Sequence, residues 1–138
     1  MISLTNLLKG ERMTEDHFTD IIIVGNNTSK SPRSEGKNKE GKDQFLITFS
    51  LSRNPKGPWI ETFNRVWGEH SKQTHSLKLP IVRDDQIQII CPLDDHLQGH
   101  LDDLKREVSA TNQVYREQLR ATDDEKRNND EILQKLRF

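Results

Sequence analysis

The stretch that decides the fold is residues 44–67, QFLITFSLSRNPKGPWIETFNRVW, where one spacing of apolar residues gives way to another. Its first part, residues 44–52, alternates apolar with mostly polar side chains, which is the period of a strand with one buried face. After the turn formers RNPKGP, apolar residues recur at helical spacing: Trp59, Ile60, Phe63, Val66 and Trp67. We therefore expect a half-buried strand, then an amphipathic helix that begins near Pro58 and ends at Gly68.

On the N-terminal side, residues 18–24, FTDIIIV, are rich in β-branched side chains and precede the turn formers GNN. Apolar residues fall on both alternating faces, which predicts a central strand or one that is covered on both sides. Residues 28–43 contain no aliphatic or aromatic side chain, so we expect a mobile loop there. Residues 1–17 form an N-terminal segment whose leucines allow a short helix.

On the C-terminal side, residues 77–91 contain two alternating apolar stretches separated by RDD. This pattern predicts a β-hairpin. Proline cannot donate a hydrogen bond to a neighbouring strand, so Pro80 predicts that the first strand of the hairpin lies at a sheet edge or a bulge.

A long helix is predicted after the hairpin. Apolar residues and Thr111 return at steps of four and three from Leu97 to Tyr115, which is the seam of a helix that packs along its length. We expect this helix to end near Leu119. A second, highly solvated helix then follows, because Thr122 and Glu125 have the spacing of a capping box.

Together these elements predict an α+β fold, with about four strands in an antiparallel or mixed sheet and both longer helices packed mainly on one face. The length of 138 residues suits one domain. We expect an N-terminal segment over residues 1–17, a single domain over residues 18–119 with its loop at residues 28–43, and a charged helical extension over residues 120–138.

Composition disfavours several classes of function. The chain has 21 Lys and Arg against 22 Asp and Glu, so it lacks the strong positive field that nucleic acid requires, although residues 30–42 are locally basic. No apolar run approaches the ~18 residues that would cross a membrane. The single cysteine, Cys91, forms no internal disulfide, and with the polar N-terminus it favours a cytoplasmic protein.

One cluster has the residue types of a metal site. His96 and His100 are one helical turn apart and Asp103 follows three residues later, so two imidazoles and a carboxylate could converge on zinc or another divalent metal. The alternative is the solvated flank of an amphipathic helix, with acidic residues favoured near its N-terminus. The sequence favours this alternative, because the HxxxH pair lacks the glutamate of HExxH and has no second ligand pair at a recognisable spacing.

The C-terminal helices give the most specific indication of function. Their apolar side chains continue beyond the predicted domain and could contact a partner or a second copy: Tyr115, Leu119, Ile132, Leu133, Leu136 and Phe138. The leading hypothesis is a non-enzymatic interaction or assembly module without a cofactor. The alternative is a small metal-dependent enzyme or ligand-binding protein that uses His96, His100 and Asp103.

Overall fold

The computed structural model describes residues 17–74 and 77–137, including all of their side chains except those of residues 71–74. Its elements follow one another in the order β1 (Ile23–Asn26), β2 (Ser34–Lys37), β3 (Asp43–Leu51), α1 (Gly57–Thr74), β4 (Ile81–Arg83), β5 (Gln86–Cys91) and α2 (Leu97–Gln134). The predicted α+β fold is confirmed.

All five strands belong to one antiparallel sheet. The strand order is β1-β3-β5-β4, and β2 pairs with the same edge of β3 as β1 does. The central strand β3 therefore has β5 on one side and two short strands, one after the other, on the opposite side. The hairpin predicted over residues 77–91 forms β4 and β5, with β4 at the sheet edge and Asp84 in the turn at a φ of 54°.

The register of β3 and β5 builds one apolar face of the sheet. Phe45, Ile47 and Phe49 stand opposite three apolar partners in β5: Cys91, Ile89 and Ile87. Five of these six side chains are at most 5% exposed, all except that of Phe45. The alternation in residues 44–52 therefore predicted the buried face of the central strand.

The helices supply the rest of the core. In α1 four of the five apolar side chains at the predicted spacing are buried, all except the half-buried Ile60, and Thr62 is buried as well. The rings of Trp59 and Phe63 stack with centroids 5.7 Å apart. In α2 the buried seam includes Leu104, Val108 and Thr111. Helix α1 continues past Gly68 to Thr74, contrary to the prediction, because one glycine in a helix costs only about 1 kcal/mol.

Part of the predicted mobile loop is a strand. Strand β2 lies within residues 28–43, and its hydrogen bonds come from the backbone, so it needs no apolar side chain. The turn after β2 is closed by Asn38, whose Oδ1 accepts the backbone N–H groups of Glu40 at 3.0 Å and Lys42 at 2.9 Å. Glycines at positive φ, 89° at Gly36 and 80° at Gly41, let the chain bend there.

A side chain pairs with β3 in the gap between β1 and β2. The hydroxyl of Thr28 accepts the backbone N–H of Thr48 at 3.0 Å and donates to the backbone carbonyl of the same residue at 3.1 Å. The backbone N–H of Asn27 donates to that carbonyl at 2.8 Å. The side chain of Thr28 therefore occupies the place that another strand residue would take.

The apolar stretch at residues 18–24 is not a central strand. Strand β1 begins only at Ile23, lies at the edge of the sheet, and leaves the side chains of Ile22 and Val24 55% and 57% exposed. Ile21, just before the strand, is buried. The prediction failed because a repeated apolar pattern shows which side chains favour burial but not which edge of the sheet the strand takes.

Helix α2 does not break near Leu119 but runs for 38 residues. Instead of starting a new helix as a cap, the hydroxyl of Thr122 donates back to the carbonyl of Gln118 at 3.0 Å. Two ion pairs span the following turns, Lys126 with Asp130 at 3.1 Å and Arg127 with Asp124 at 3.2 Å. The separate terminal helix was therefore a wrong prediction.

The chain divides into two compact units. One unit is residues 20–112, which contains the sheet, α1 and the first part of α2. The other contains residues 1–19 and 113–138, and within its described residues the rings of Phe18 and Tyr115 meet edge to face with centroids 5.0 Å apart. The guanidinium of Arg116 lies 5.1 Å from the centre of the Phe18 ring.

Candidate functional site

The last part of α2 exposes an apolar surface. From residue 124 to residue 137 every side chain is exposed, and three of these side chains are large and apolar: Ile132 at 55%, Leu133 at 63% and Leu136 at 56%. Ile132 and Leu133 lie in the last turn of α2. Leu136 follows the end of the helix, and its backbone N–H donates to the carbonyl of Leu133 at 3.3 Å, so the turn continues as far as Leu136. We call these three residues the apolar cluster.

Ion pairs between exposed side chains run along this stretch of helix. A helix that is polar around most of its circumference depends on pairs of side chains along its own surface, and each exposed ion pair contributes only about 0.3–0.5 kcal/mol. The Lys126–Asp130 and Arg127–Asp124 pairs are of this exposed kind. A partner that covered the apolar cluster would therefore stabilise the helix itself.

The other predicted partner-binding residues differ from the apolar cluster. Tyr115 is 4% exposed and contacts Phe18, and burial raises the pKa of its hydroxyl. We therefore leave Tyr115 out of the exposed surface. Leu119 is half-buried, and Phe138 lies outside the described residues.

The predicted metal ligands have separate interactions. Asp103 accepts a hydrogen bond from Arg106 at 2.8 Å, while His96 Nδ1 lies 3.3 Å from Asp94. Asp94 Oδ1 also accepts the backbone N–H of His96, and this bond lowers the pKa of Asp94. Burial lowers the pKa of His100, although the nearby Asp103 opposes that shift.

In the described parts of the chain, no three His, Cys, Asp or Glu side chains are grouped so that they could hold a metal ion. The metal hypothesis for His96, His100 and Asp103 stays a prediction without geometric support.

A buried carboxylate was missed by the sequence reasoning. Glu107 is 2% exposed, and its Oε1 lies 2.5 Å from Nδ1 of His70 in α1. Its other oxygen lies 3.5 Å from Nε of Arg106. The signal was present, because Glu107 falls three residues after Leu104 and four before Thr111, which places it on the buried stripe of α2.

A second buried polar residue, Asn112, was also missed. Its Oδ1 accepts the backbone N–H of Ile21 at 3.1 Å and the indole N–H of Trp59 at 3.0 Å, and its amide donates to the carbonyl of Ile21 at 2.7 Å. Asn112 thus joins α2 to α1 and to the segment that enters β1. Beside it, Ile21–Ile23 and Val108 help to line a groove of about 280 Å³, with polar groups from Asp20, Lys105 and Ser109.

Cys91 does not have the surroundings of a nucleophile. It is 1% exposed, and its pKa is raised to about 11, first by burial and then by the negative charge of Asp94. Because the thiolate is the reactive form, a protonated buried thiol has little reactivity near neutral pH.

The basic segment over residues 30–42 has carboxylate partners within the chain. Arg33 pairs with Glu35, Lys37 with Asp43 at 2.7 Å, and Lys42 with Asp94 at 3.3 Å. These pairs neutralise part of the local positive charge. The geometry therefore adds no support for binding to nucleic acid.

Over the residues that the structure describes, the fold is α+β, with a five-stranded antiparallel sheet and two helices. The chain matches no protein family, no curated protein and no solved structure. Neither helix, over the residues described, is long and apolar enough to pass through a membrane.

Proposed function

We propose that this chain is a non-enzymatic interaction module that binds a partner protein through the C-terminal end of α2. The observation that supports the proposal is the apolar cluster, Ile132, Leu133 and Leu136, which lies at the end of α2 and just after it, where every side chain from residue 124 to residue 137 is exposed. Apolar side chains at this spacing are the anchors by which amphipathic helices enter grooves in other proteins. A cytoplasmic location suits the single free cysteine.

The energy of burying the cluster indicates what kind of partner fits it. Burial of the exposed fractions of the three side chains contributes roughly 3–5 kcal/mol, at 1.5–3 kcal/mol for each fully buried side chain. Association costs about 4–15 kcal/mol in lost translational and rotational freedom. The contact therefore has to extend beyond the cluster, as it does when a groove surrounds a helix and also meets its charged flanks.

Two variants of the full-length chain test the proposal. Leu133→Lys/Leu136→Lys places charges in the cluster, and Asn128→Lys/Asn129→Lys adds the same charges to exposed polar positions on the same stretch of helix. Proteins captured by crosslinking in cell lysate are compared among wild type and both variants. Each captured candidate is then purified, and its binding is measured by calorimetry.

We expect the leucine variant to weaken binding of the purified partner by at least about 30-fold, as loss of a central anchor does, and the asparagine variant to bind nearly as wild type does. Light scattering of wild type and the leucine variant reports whether the partner is a second copy. Equal capture and equal affinity for the two variants would show that the cluster is not the binding surface.

A further inference from the structure

Strand β1 turns part of its backbone away from the sheet. The N–H of Leu51 in β3 donates to the carbonyl of Asp85 at 2.7 Å, so the polar backbone groups of Leu51 face β5. Ile23 stands directly opposite Leu51, and opposite residues of an antiparallel ladder either bond to each other or turn their N–H and C=O groups apart. The N–H and C=O of Ile23 therefore point outwards, beyond the edge of the sheet.

Another outward position on this edge is already bonded. Ile22 accepts the N–H of Ser52 at 2.8 Å and donates to the Ser52 hydroxyl at 3.0 Å, so Ile22 faces β3 while Ile21, like Ile23, faces outwards. The side-chain amide of Asn112 binds the N–H of Ile21 at 3.1 Å and its carbonyl at 2.7 Å, the same two groups that an added strand would bind. Within the described parts of the chain, the outward groups of Ile23 have no such partner.

The groove beside Asn112 adjoins this open position, because Ile23 and the buried Val108 both line it. The side chain of Ile23 lies on the same side of the sheet as its partner, the buried Leu51. A residue that paired with Ile23 from outside would point its own side chain to that side, into the groove. The volume of about 280 Å³ has room for an aliphatic side chain there.

The two ends of the groove differ in charge. Lys105 lies seven residues before Asn112, which is about 10.5 Å along the helix, and in the described residues it has no ion pair or hydrogen bond. The hydroxyl of Ser109 follows one turn after Lys105. Asp20 precedes Ile21, so its carboxylate lies near the Asn112 end. A bound carboxylate is therefore favoured at the Lys105 end and repelled at the other.

We propose that this groove binds an extended segment of a partner protein as an added strand. The segment pairs antiparallel with β1 at Ile23, places an aliphatic side chain against Val108 and supplies a carboxylate to Lys105. In such strand addition the backbone bonds give affinity and the side-chain pocket gives selectivity. The proposal does not rest on the apolar cluster, which offers a helix rather than a strand edge.

Peptide titration of the full-length chain, followed by amide chemical shifts, tests the proposal. The probes are the capped heptapeptides TETVTQT and TQTVTET, which carry a glutamate two residues before or after a central valine, and the neutral TQTVTQT. Methylation of the valine nitrogen removes the N–H that would donate to Ile23. Lys105→Glu reverses the charge in the groove. Lys78→Glu is the matched control, because Lys78 is equally an exposed lysine and precedes β4, at the opposite edge of the sheet.

We expect the amides of Ile23 and Lys105 to shift, with a dissociation constant on the order of 100 μM for so short a peptide. One glutamate peptide should bind at least about threefold more tightly than the neutral one, and methylation should weaken binding at least about tenfold. Lys105→Glu should abolish the preference for glutamate, whereas Lys78→Glu and Leu133→Lys/Leu136→Lys should keep it.

Three outcomes would overturn the proposal. The first is the absence of binding, or shifts confined to residues 81–83 at the opposite edge of the sheet. The second is equal affinity for the methylated and unmethylated peptides, since backbone pairing at Ile23 requires that N–H. The third is the same preference for glutamate in Lys105→Glu as in wild type. Thermal unfolding of each variant checks that it folds.

Discussion

Replacement of Asn112 by alanine is expected to destabilise the protein more than any single exposed change. The substitution removes three hydrogen bonds and leaves three groups without their partner: the N–H and the carbonyl of Ile21 and the indole N–H of Trp59. An unsatisfied buried polar group costs about 1–3 kcal/mol. We expect water in the adjacent groove to satisfy part of the Ile21 backbone, so the loss should be about 3 kcal/mol.

This loss is measurable by urea unfolding followed by fluorescence of Trp59 and Trp67. A loss of ~3 kcal/mol is a large share of the 5–15 kcal/mol that a domain of this kind has in total. Asn128→Ala is the control, because Asn128 is exposed in the same helix and reports the helix propensity gained by alanine, about 0.5 kcal/mol. A difference below about 1 kcal/mol between the two variants would refute the view that Asn112 holds these elements together.

Three further outcomes follow from the structure. Cys91, buried and with its pKa raised to about 11, should react with a thiol reagent at pH 8 at least about 100-fold more slowly than in the unfolded chain, and stability should fall as the pH rises above 9. Burial lowers the pKa of His100 below 6.5, so the imidazole binds a proton more readily in the unfolded chain than in the folded one. Urea unfolding should therefore show that the free energy of unfolding falls as the pH drops below 6.5, and that it falls less in His100→Gln. Gly36→Ala should cost about 1–2 kcal/mol of unfolding free energy, since Gly36 has a φ of 89°, whereas Gly68→Ala, in helix α1, should gain about 0.5–1 kcal/mol. Equal reactivity of folded and unfolded Cys91, equal pH slopes for His100→Gln and wild type, or equal effects of the two glycine changes would contradict the respective prediction.

The elements that the sequence predicted well are those in which side-chain burial decides the local structure. Strands β3 and β5 alternate because one face of each meets the core, and α1 repeats its aromatic side chains for the same reason. Such patterns are local, so they can be read without knowledge of the neighbours. The α+β class followed from them.

The elements that were missed depend on distant or backbone interactions. Strand β2 is held by backbone hydrogen bonds to β3 and by a turn around Asn38, none of which leaves an apolar pattern. The continuity of α2 past Leu119 was hidden by a capping pattern whose threonine bonds back into the helix instead. Sequence separation also concealed Asn112, whose partner Ile21 is 91 residues away.

The candidate surface was predicted in part. Ile132, Leu133 and Leu136 were identified because apolar residues at helical spacing are conspicuous in a polar segment, and all three are exposed. Tyr115 had the same spacing, but the pattern could not tell that Phe18 would cover it. Apolar periodicity identifies a face of a helix, and only the folded chain decides which part of that face is occupied.

The junction at Thr28 affects the order in which the sheet opens. A single long edge strand would have to leave β3 all at once, whereas two short strands on either side of the Thr28 hydroxyl can leave it one at a time. Strand β2 and the turn after it can therefore separate from β3 while β1 and the rest of the sheet stay paired. In a hydrogen-exchange experiment, the amides of residues 34–37 should exchange early, through this local opening. The amides of residues 47–51 should exchange only when the whole core unfolds.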